Sequence, residues 1–165
     1  PSLVSVMGGY TVMAEEMRHS FAELDEWPTH VFLQGGVGGL AGAVAYGIRT
    51  LWPKENQPEI IIVEPETAQC LAASHAAGEL VEVQGGESNM ARLDCKEASL
   101  VAFEILEQSD VTYITVSDEE AQNAAEQLTA EGFPTTPSGA AGFAGLLKLA
   151  PVGVTPLIII SEGSE

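Results

Sequence analysis

The chain has 165 residues and a mass of 17.3 kDa, the size of one compact domain. Its 45% hydrophobic and 18% charged residues describe a globular protein, long enough to bury a core without disulfides or metal. Twenty-four acidic groups face six Lys plus Arg, a formal charge of −18, so the basic stripe that nucleic acid or an anionic membrane requires is missing. No apolar run approaches the roughly 18 residues of a membrane span, and no signal peptide opens the chain. Cys70 and Cys95 form no CxxC and no metal-ligand cluster, so a reduced, cytoplasmic protein without membrane or nucleic-acid partners is expected. The sequence starts at Pro1, with no Met, which suggests a piece of a longer chain.

In chain order, Tyr10–Glu26 is the first predicted helix, with an apolar stripe at Met13, Met17, Phe21 and Leu24. A strand follows at His30–Gln34, then an almost wholly apolar helix at Leu40–Leu51. Glu59–Glu64 is a second strand, and Ala68–Ala77 a helix stopped by Gly78. Leu80–Gln84 is a predicted strand, Glu97–Gln108 a helix and Val111–Val116 another strand. Ser117 and Glu120 have capping-box spacing for a helix over Asp118–Ala130, which Gly132 ends. Ser138 is the expected cap of a helix over Gly139–Leu149, stopped by Pro151, and Leu157–Ser161 is the last strand. Continuous apolar runs such as Ile60-Ile61-Ile62-Val63 mean burial on both faces, hence a parallel sheet under helices. Strand and helix alternate from His30 onward. The predicted fold is α/β, a doubly wound, mainly parallel sheet with helices on both faces and right-handed crossovers.

The most informative stretch is Leu33-Gln34-Gly35-Gly36-Val37-Gly38-Gly39-Leu40-Ala41-Gly42, which follows a strand and opens a helix. Four glycines in five positions let backbone N–H groups converge on an anion, and the helix adds its own unpaired amides and dipole. The bland alternative is a tight turn whose glycines serve close packing. Two phosphate ligands remain open on these residues. Gly36-Val37-Gly38-Gly39-Leu40-Ala41 satisfies the dinucleotide fingerprint G-x-G-x-x-G/A, and Glu64 ends the next strand where a ribose-binding carboxylate would stand. A single phosphate monoester, such as that of pyridoxal phosphate, suits the same helix end.

Blocks spread over nearly the whole chain carry a resemblance. They are Gly8-Gly9-Tyr10-Thr11-Val12-Met13-Ala14-Glu15-Glu16, Val31 to Gly42, Ile62-Val63-Glu64-Pro65, Met90-Ala91-Arg92-Leu93-Asp94-Cys95, Ser138-Gly139-Ala140-Ala141-Gly142 and Ile159-Ile160-Ser161-Glu162-Gly163. In that order they resemble the diaminopropionate ammonia-lyase family of fold-type II, tryptophan synthase β-like pyridoxal phosphate enzymes. The resemblance places residues 1–165 as a single α/β unit in the C-terminal half of such an enzyme, with the N-terminal half absent. It implies that Gly35, Gly36, Val37, Gly38 and Gly39 hold the cofactor phosphate and that Ser161 hydrogen-bonds the pyridine nitrogen. It also implies a homodimer and β-elimination of ammonia from a small amino acid, 2,3-diaminopropionate first, giving a keto acid. Departures stand at Arg92 and Lys96, where the family usually has Gly, and at Thr135-Thr136-Pro137, where Glu is common. They keep a threonine or serine dehydratase-like substrate open.

Pyridoxal phosphate enzymes need a lysine to carry the cofactor as a Schiff base. Only Lys54, Lys96 and Lys148 are present, and only Lys96 is near an expected site loop. In the family the Schiff-base lysine and the acidic general bases lie upstream of the glycine loop. No catalytic residue is therefore expected in this chain, and alone it should be inactive. His19, His30 and His75 are far apart, and Ser138 lacks the G-x-S-x-G elbow of a nucleophile. Cys70 reads as buried filler, and Gly85-Gly86 as a flexible connection or a pocket-lining loop.

Overall fold

The apolar runs become the four strands of one parallel sheet: β1 (His30–Gln34), β2 (Glu59–Pro65), β3 (Val111–Val116) and β4 (Pro156–Ile158). The computed structural model describes residues 3–164, with side chains from residue 8 onward. Strand order is β3-β2-β1-β4, with Val31 in register with Ile60 and Leu157, and Ile61 with Thr112.

Alternate residues of the two central strands feed two cores. Val31, Leu33, Ile60 and Ile62 point to one face, and Phe32, Ile61 and Val63 to the other. The first face is covered by α1 (Leu3–Leu24), α2 (Gly39–Leu51), α3 (Cys70–Ala77) and α4 (Leu100–Glu107). The second is covered by α5 (Asp118–Ala130) and α6 (Pro137–Leu149). The chain therefore winds one way through β1, β2 and β3, then returns under the other face to place β4 beside β1. The doubly wound fold is as expected, and β1 is where the winding reverses.

Close seating joins these layers. A Cβ on Gly47 of α2 would collide with the Ala14 Cβ of α1, and Trp52 Nε1 donates to Ala14 O at 3.0 Å. Trp52 also stacks edge-on against Phe21 and Trp27, so packing and the buried Trp52–Ala14 hydrogen bond hold α1 in place. Met13, Met17 and Phe21 of the predicted stripe join this core, whereas Leu24 is exposed. On the other face, a Cβ on Gly142 of α6 would meet Phe32 O at 2.9 Å and one on Gly145 the Val63 Cγ2 at 2.5 Å. Small residues let α6 lie almost on the sheet.

Three sequence expectations need correction. Leu80–Gln84 is not a strand: Val83 N donates to Lys96 O at 2.8 Å, but the segment joins no ladder. Its Glu82 interrupts the apolar residues, and it runs as an extended connection packed by Leu80 and Val83 on the first core. Thr136, not Ser138, caps α6, accepting from Gly139 N at 3.2 Å, with Pro137 in the first turn. Ser138 is buried instead and accepts from Arg92 N at 3.1 Å. The last strand pairs only over Pro156–Ile158: beyond Phe32 the segment after β4 parts from β1, which continues beside β2 to Gln34. The Ser117–Glu120 capping box forms as read, with both reciprocal bonds.

Glu64 at the end of β2 is 0% exposed. Its carboxylate accepts from Leu71 N at 2.8 Å and Ala72 N at 2.9 Å, tying the strand to the first turn of α3. Burial pushes the carboxyl up from 4.5 to about 7, against the pull of those two amides and the Cys70 thiol. The folded chain then holds a proton that the unfolded chain releases at lower pH. This contribution to stability is complete below about pH 4.5 and is lost as pH rises through about 7. Between those limits the unfolding free energy should fall by up to about 3 kcal/mol more in the wild type than in Glu64→Gln. Urea denaturation at pH 4.5, 6 and 8 measures it, and equal slopes for the two proteins would show that Glu64 ionises freely.

Candidate functional site

The winding reversal puts two chain segments side by side at the carboxyl ends of the strands. One is the glycine loop after β1, and the other is Ile159–Glu162 after β4. Together with Tyr10 of α1 and Arg92-Leu93 they line a cleft of about 270 Å³, near the lower end of the range for small-ligand sites. The cleft is lined by Gly36, Val37, Gly38, Gly39 and Leu40 on one side, and by Gln34, Ser161 and Glu162 on another.

The loop's inner side is packed as tightly as any part of the core. A Cβ on Gly35 would meet Ile62 Cγ2 at 2.9 Å, and one on Gly36 would meet Arg92 O at 3.1 Å. Gly38 takes φ +103°, and a Cβ there would lie 2.8 Å from the Ala102 Cβ. Close packing, read above as the bland alternative, is therefore real and coexists with a cradle. Val37 is the loop's one side chain, 43% exposed, and its amide faces the Cys95 thiol; at the glycines around it nothing covers the backbone, and the first-turn amides of α2 lack intrahelical partners. The loop is fixed from below by Gly35 N to Val63 O at 2.8 Å, Ser99 N to Val37 O at 2.9 Å, and Cys70 Sγ to Gly36 O at 3.4 Å. Cys70 is thus a buried strut whose thiol burial pushes up to about 12. Cys95 is half-buried, outside the cleft lining, and its thiol is likewise raised by burial.

Ser161 is exposed in the cleft. Its Oγ accepts from Gln34 Nε2 at 2.9 Å. Gln34 is a site residue that the sequence reading passed over. The available signal was a polar side chain ending an otherwise apolar strand immediately before the glycines. Glu162 forms the rim: its Oε2 lies 2.9 Å from Arg92 Nε, its Oε1 accepts from Thr136 Oγ1, and its carbonyl accepts from Thr135 Oγ1 at 2.7 Å. Arg92 is 72% exposed in its side chain, and it is the basic group on the described cleft wall. The departures noted at Arg92 and at Thr135-Thr136 therefore meet each other through Glu162.

The lysines lie elsewhere. Lys96 Nζ donates to Thr67 O, Gly86 O and Asp94 Oδ1 at 2.7–2.8 Å, pinning the 79–99 connection down. Lys148 donates to Thr115 O at 2.7 Å, and Lys54 sits in the turn after α2. None lines the cleft. Glu64 is also absent from it, buried under α3, so Glu64 cannot take the ribose-binding role weighed for a dinucleotide. The three histidines do not converge either: His30 faces Glu59 and His75 faces Glu107, both outside the cleft. Among the described residues no cluster of His, Cys, Asp and Glu suits a metal ion, and no helix is long and apolar enough to cross a membrane.

Pyridoxal phosphate fits this cleft in kind. A glycine-rich loop running into a helix N-terminus suits a phosphate, and an exposed hydroxyl whose oxygen already accepts a hydrogen bond suits a ring nitrogen.

Comparison with known proteins agrees. Over 154 residues the chain is 34% identical to the diaminopropionate ammonia-lyase of Escherichia coli strain K12, covering 92% of this chain and 38% of that protein. It is 30% identical over 149 residues to a probable D-serine dehydratase of Vibrio cholerae, covering 83% of this chain and 33% of the relative. The chain thus spans little more than a third of the length of these relatives. Among solved structures, the Escherichia coli diaminopropionate ammonia lyase in complex with an aminoacrylate-PLP azomethine intermediate superposes with a TM-score of 0.78. That match is 29% identical and covers 95% of this chain and 44% of the other. A threonine deaminase from T.th. shares the fold at a TM-score of 0.87 and 23% identity, over 96% of this chain and 58% of its own. The family described as pyridoxal-phosphate dependent enzyme matches residues 3–153, and the chain belongs to it.

Proposed function

We propose that this chain provides the phosphate-holding and ring-nitrogen-holding side of a pyridoxal phosphate-dependent ammonia-lyase. Its reaction is β-elimination from a small amino acid, with 2,3-diaminopropionate the leading substrate. The observation that carries this reading is the convergence of the glycine loop and Ser161, 122 residues further on, in one cleft at the winding reversal. When bound, pyridoxal phosphate supplies an electron sink that acidifies the α-hydrogen of an amino acid.

The chain's own residues do the positioning. Gly36, Val37, Gly38 and Gly39 present backbone amides to the phosphate, and the α2 dipole adds to their pull. Gly35 holds the loop against β2. Ser161 donates its hydroxyl hydrogen to the ring nitrogen, which favours a neutral ring and so favours elimination over transamination. The lysine that carries the cofactor and the acidic groups that move protons belong to a segment outside residues 1–165, since Lys54, Lys96 and Lys148 are engaged or placed away from the cleft. Residues 1–165 alone then bind without turning over. The full protein is expected to be cytoplasmic and homodimeric, as its relatives' family implies. A D-serine or related hydroxy-amino-acid substrate is the second reading, favoured by the match to the probable D-serine dehydratase and by the Arg92–Glu162 pair at the rim.

Calorimetric titration with pyridoxal phosphate and, separately, NAD tests the reading, followed by borohydride treatment and intact mass measurement. Saturable pyridoxal phosphate binding, no NAD binding and no reduced adduct are expected. An adduct on Lys54, Lys96 or Lys148, or binding of NAD alone, would overturn it.

Two variants separate the two ends of the site. Gly38→Ala forces a side chain into a positive-φ position against Ala102, costing about 2–4 kcal/mol of stability and weakening inorganic phosphate binding at least about tenfold. Ser161→Ala should leave stability and inorganic phosphate binding unchanged but weaken pyridoxal phosphate binding about tenfold, the worth of one hydrogen bond. Phosphate affinity that survives Gly38→Ala would show that the loop is packing alone.

A further inference from the structure

The geometry points to Gln34 as a positioning residue that sets the direction in which the Ser161 hydroxyl donates; this rests on Ser161 facing the ring nitrogen, as proposed above. A serine hydroxyl can donate or accept, so its presence beside a ring nitrogen does not decide whether that nitrogen is bare or protonated. Its neighbour decides. Gln34 is 2% exposed at the end of β1, and its Nε2 lies 2.7 Å from Ile159 O, 2.9 Å from Ser161 Oγ and 3.2 Å from Gly139 O.

Two of those three partners are backbone carbonyls, which only accept. Turning the amide over would set Oε1 against Ile159 O and Gly139 O, acceptor against acceptor in a buried place. The amide nitrogen is therefore held toward this corner independently of Ser161. Oε1 has no hydrogen-bond partner and lies against α6, where a Cβ on Gly142 would come within 2.7 Å of it. An unpartnered buried carbonyl oxygen is a standing cost, and it is tolerated because the two amide hydrogens serve Ile159 O and Ser161 Oγ, the two shortest contacts, with Gly139 O at 3.2 Å sharing one of them.

Ser161 Oγ must then accept from Gln34, and its single hydrogen is left for the cleft. A donor facing the ring nitrogen stabilises the neutral ring and opposes its protonation. Tyr10, Arg92 and Glu162 are the titratable groups lining the same cleft, and Glu162 is already held by Arg92 and Thr136. Gln34 thus converts an ambiguous hydroxyl into a committed donor. It does so from β1, while the hydroxyl comes from the segment after β4.

The test uses this chain with pyridoxine 5′-phosphate labelled with 15N in the ring, an alcohol that cannot condense with an amine. Ring 15N and 31P resonances are followed against pH. In the wild-type complex the ring should take up its proton at lower pH than in the free probe. Gln34→Met should raise that midpoint by about one pH unit, since one hydrogen bond is lost, and leave the 31P shift in place. Ser161→Ala should give the same displacement, and the double variant no more than either. A Gln34→Met complex that titrates as the wild type, while Ser161→Ala shifts, overturns the role of Gln34 alone. If Ser161→Ala also titrates as the wild type, or the wild type fails to bind, the placement of the ring nitrogen at Ser161 falls and the inference with it. Should Gln34→Met not fold, the wild type carries the test through its Gln34 side-chain amide. Its hydrogens should exchange far more slowly than those of exposed Gln122, and exchange as fast as Gln122 overturns the inference.

Discussion

Space under the glycine loop governs the rest of the structure. The chain has to pass from a strand buried on both faces to a helix buried on nearly every side within five residues. Ile62, Glu64, Leu71 and Ala102 already fill the volume where side chains on Gly35 and Gly38 would stand. Packing therefore demands glycine on the inner surface, and the same lack of side chains at Gly36, Gly38 and Gly39 leaves backbone facing the cleft around Val37. The cradle does not compete with the core for these residues; it is a consequence of how closely the loop lies on the core. Cys70, Ser99 and Val63 then hold the loop's backbone from beneath, so its amides are fixed before any ligand arrives.

A second constraint is topological. Every strand of a parallel sheet ends at the same edge, but most neighbouring ends are separated by helices on one face. β1 is followed by α2 on one face, whereas β4 is reached through α6 on the other, and a crevice opens between their ends. Gln34 closes the floor of that crevice by reaching from β1 to the tail of β4 and to α6, bonds that the ladder itself no longer supplies beyond Ile158. A polar residue at the end of an apolar strand thus does two things. It replaces the ladder where the strands part, and it fixes the hydroxyl that they present.

Much of this was legible in the residues. The strands β1 and β2 hold continuous apolar runs and β3 is rich in β-branched residues, and the short, β-branched Ile60-Ile61-Ile62-Val63 between polar ends reads as a buried strand. The glycine loop declared itself by density, and the capping box by spacing. Leu80–Gln84 failed because apolar content was read without its interruptions, and a strand also needs a free edge beside it. The cap of α6 failed by two residues because Thr136 and Ser138 are both competent, and only the tertiary contact of Ser138 with Arg92 N separates them. Gln34 was marked only as the polar end of an apolar strand, and its role was hidden for a different reason. Its partners stand more than 100 residues away, and no local pattern encodes a bond across the winding reversal. Glu64 shows the converse, a residue correctly spaced for one site and consumed by another, because the nearest unpaired amides were those of α3.

The charge of −18 bears directly on the cleft. Few cations are available, and most are committed. Arg49 donates to Ser109 O, Pro58 O and Asp110 O, stapling α2 to the ends of two loops. Arg18 pairs with Glu15 along α1, Lys96 anchors the 79–99 connection, and Lys148 meets Thr115 O. A chain so acidic repels an anionic ligand at long range, and a cluster of lysines would be the ordinary remedy. The remedy here is dipolar: amides at contact distance act where the diffuse field of scattered surface carboxylates is screened beyond about 10 Å. Arg92 is the exception on the cleft wall, and Glu162 balances it across the rim. In the proposed site the phosphate end of the cleft is thus built from backbone and the ring end from a directed hydroxyl. Neither end depends on a charged side chain whose state would change over the physiological pH range.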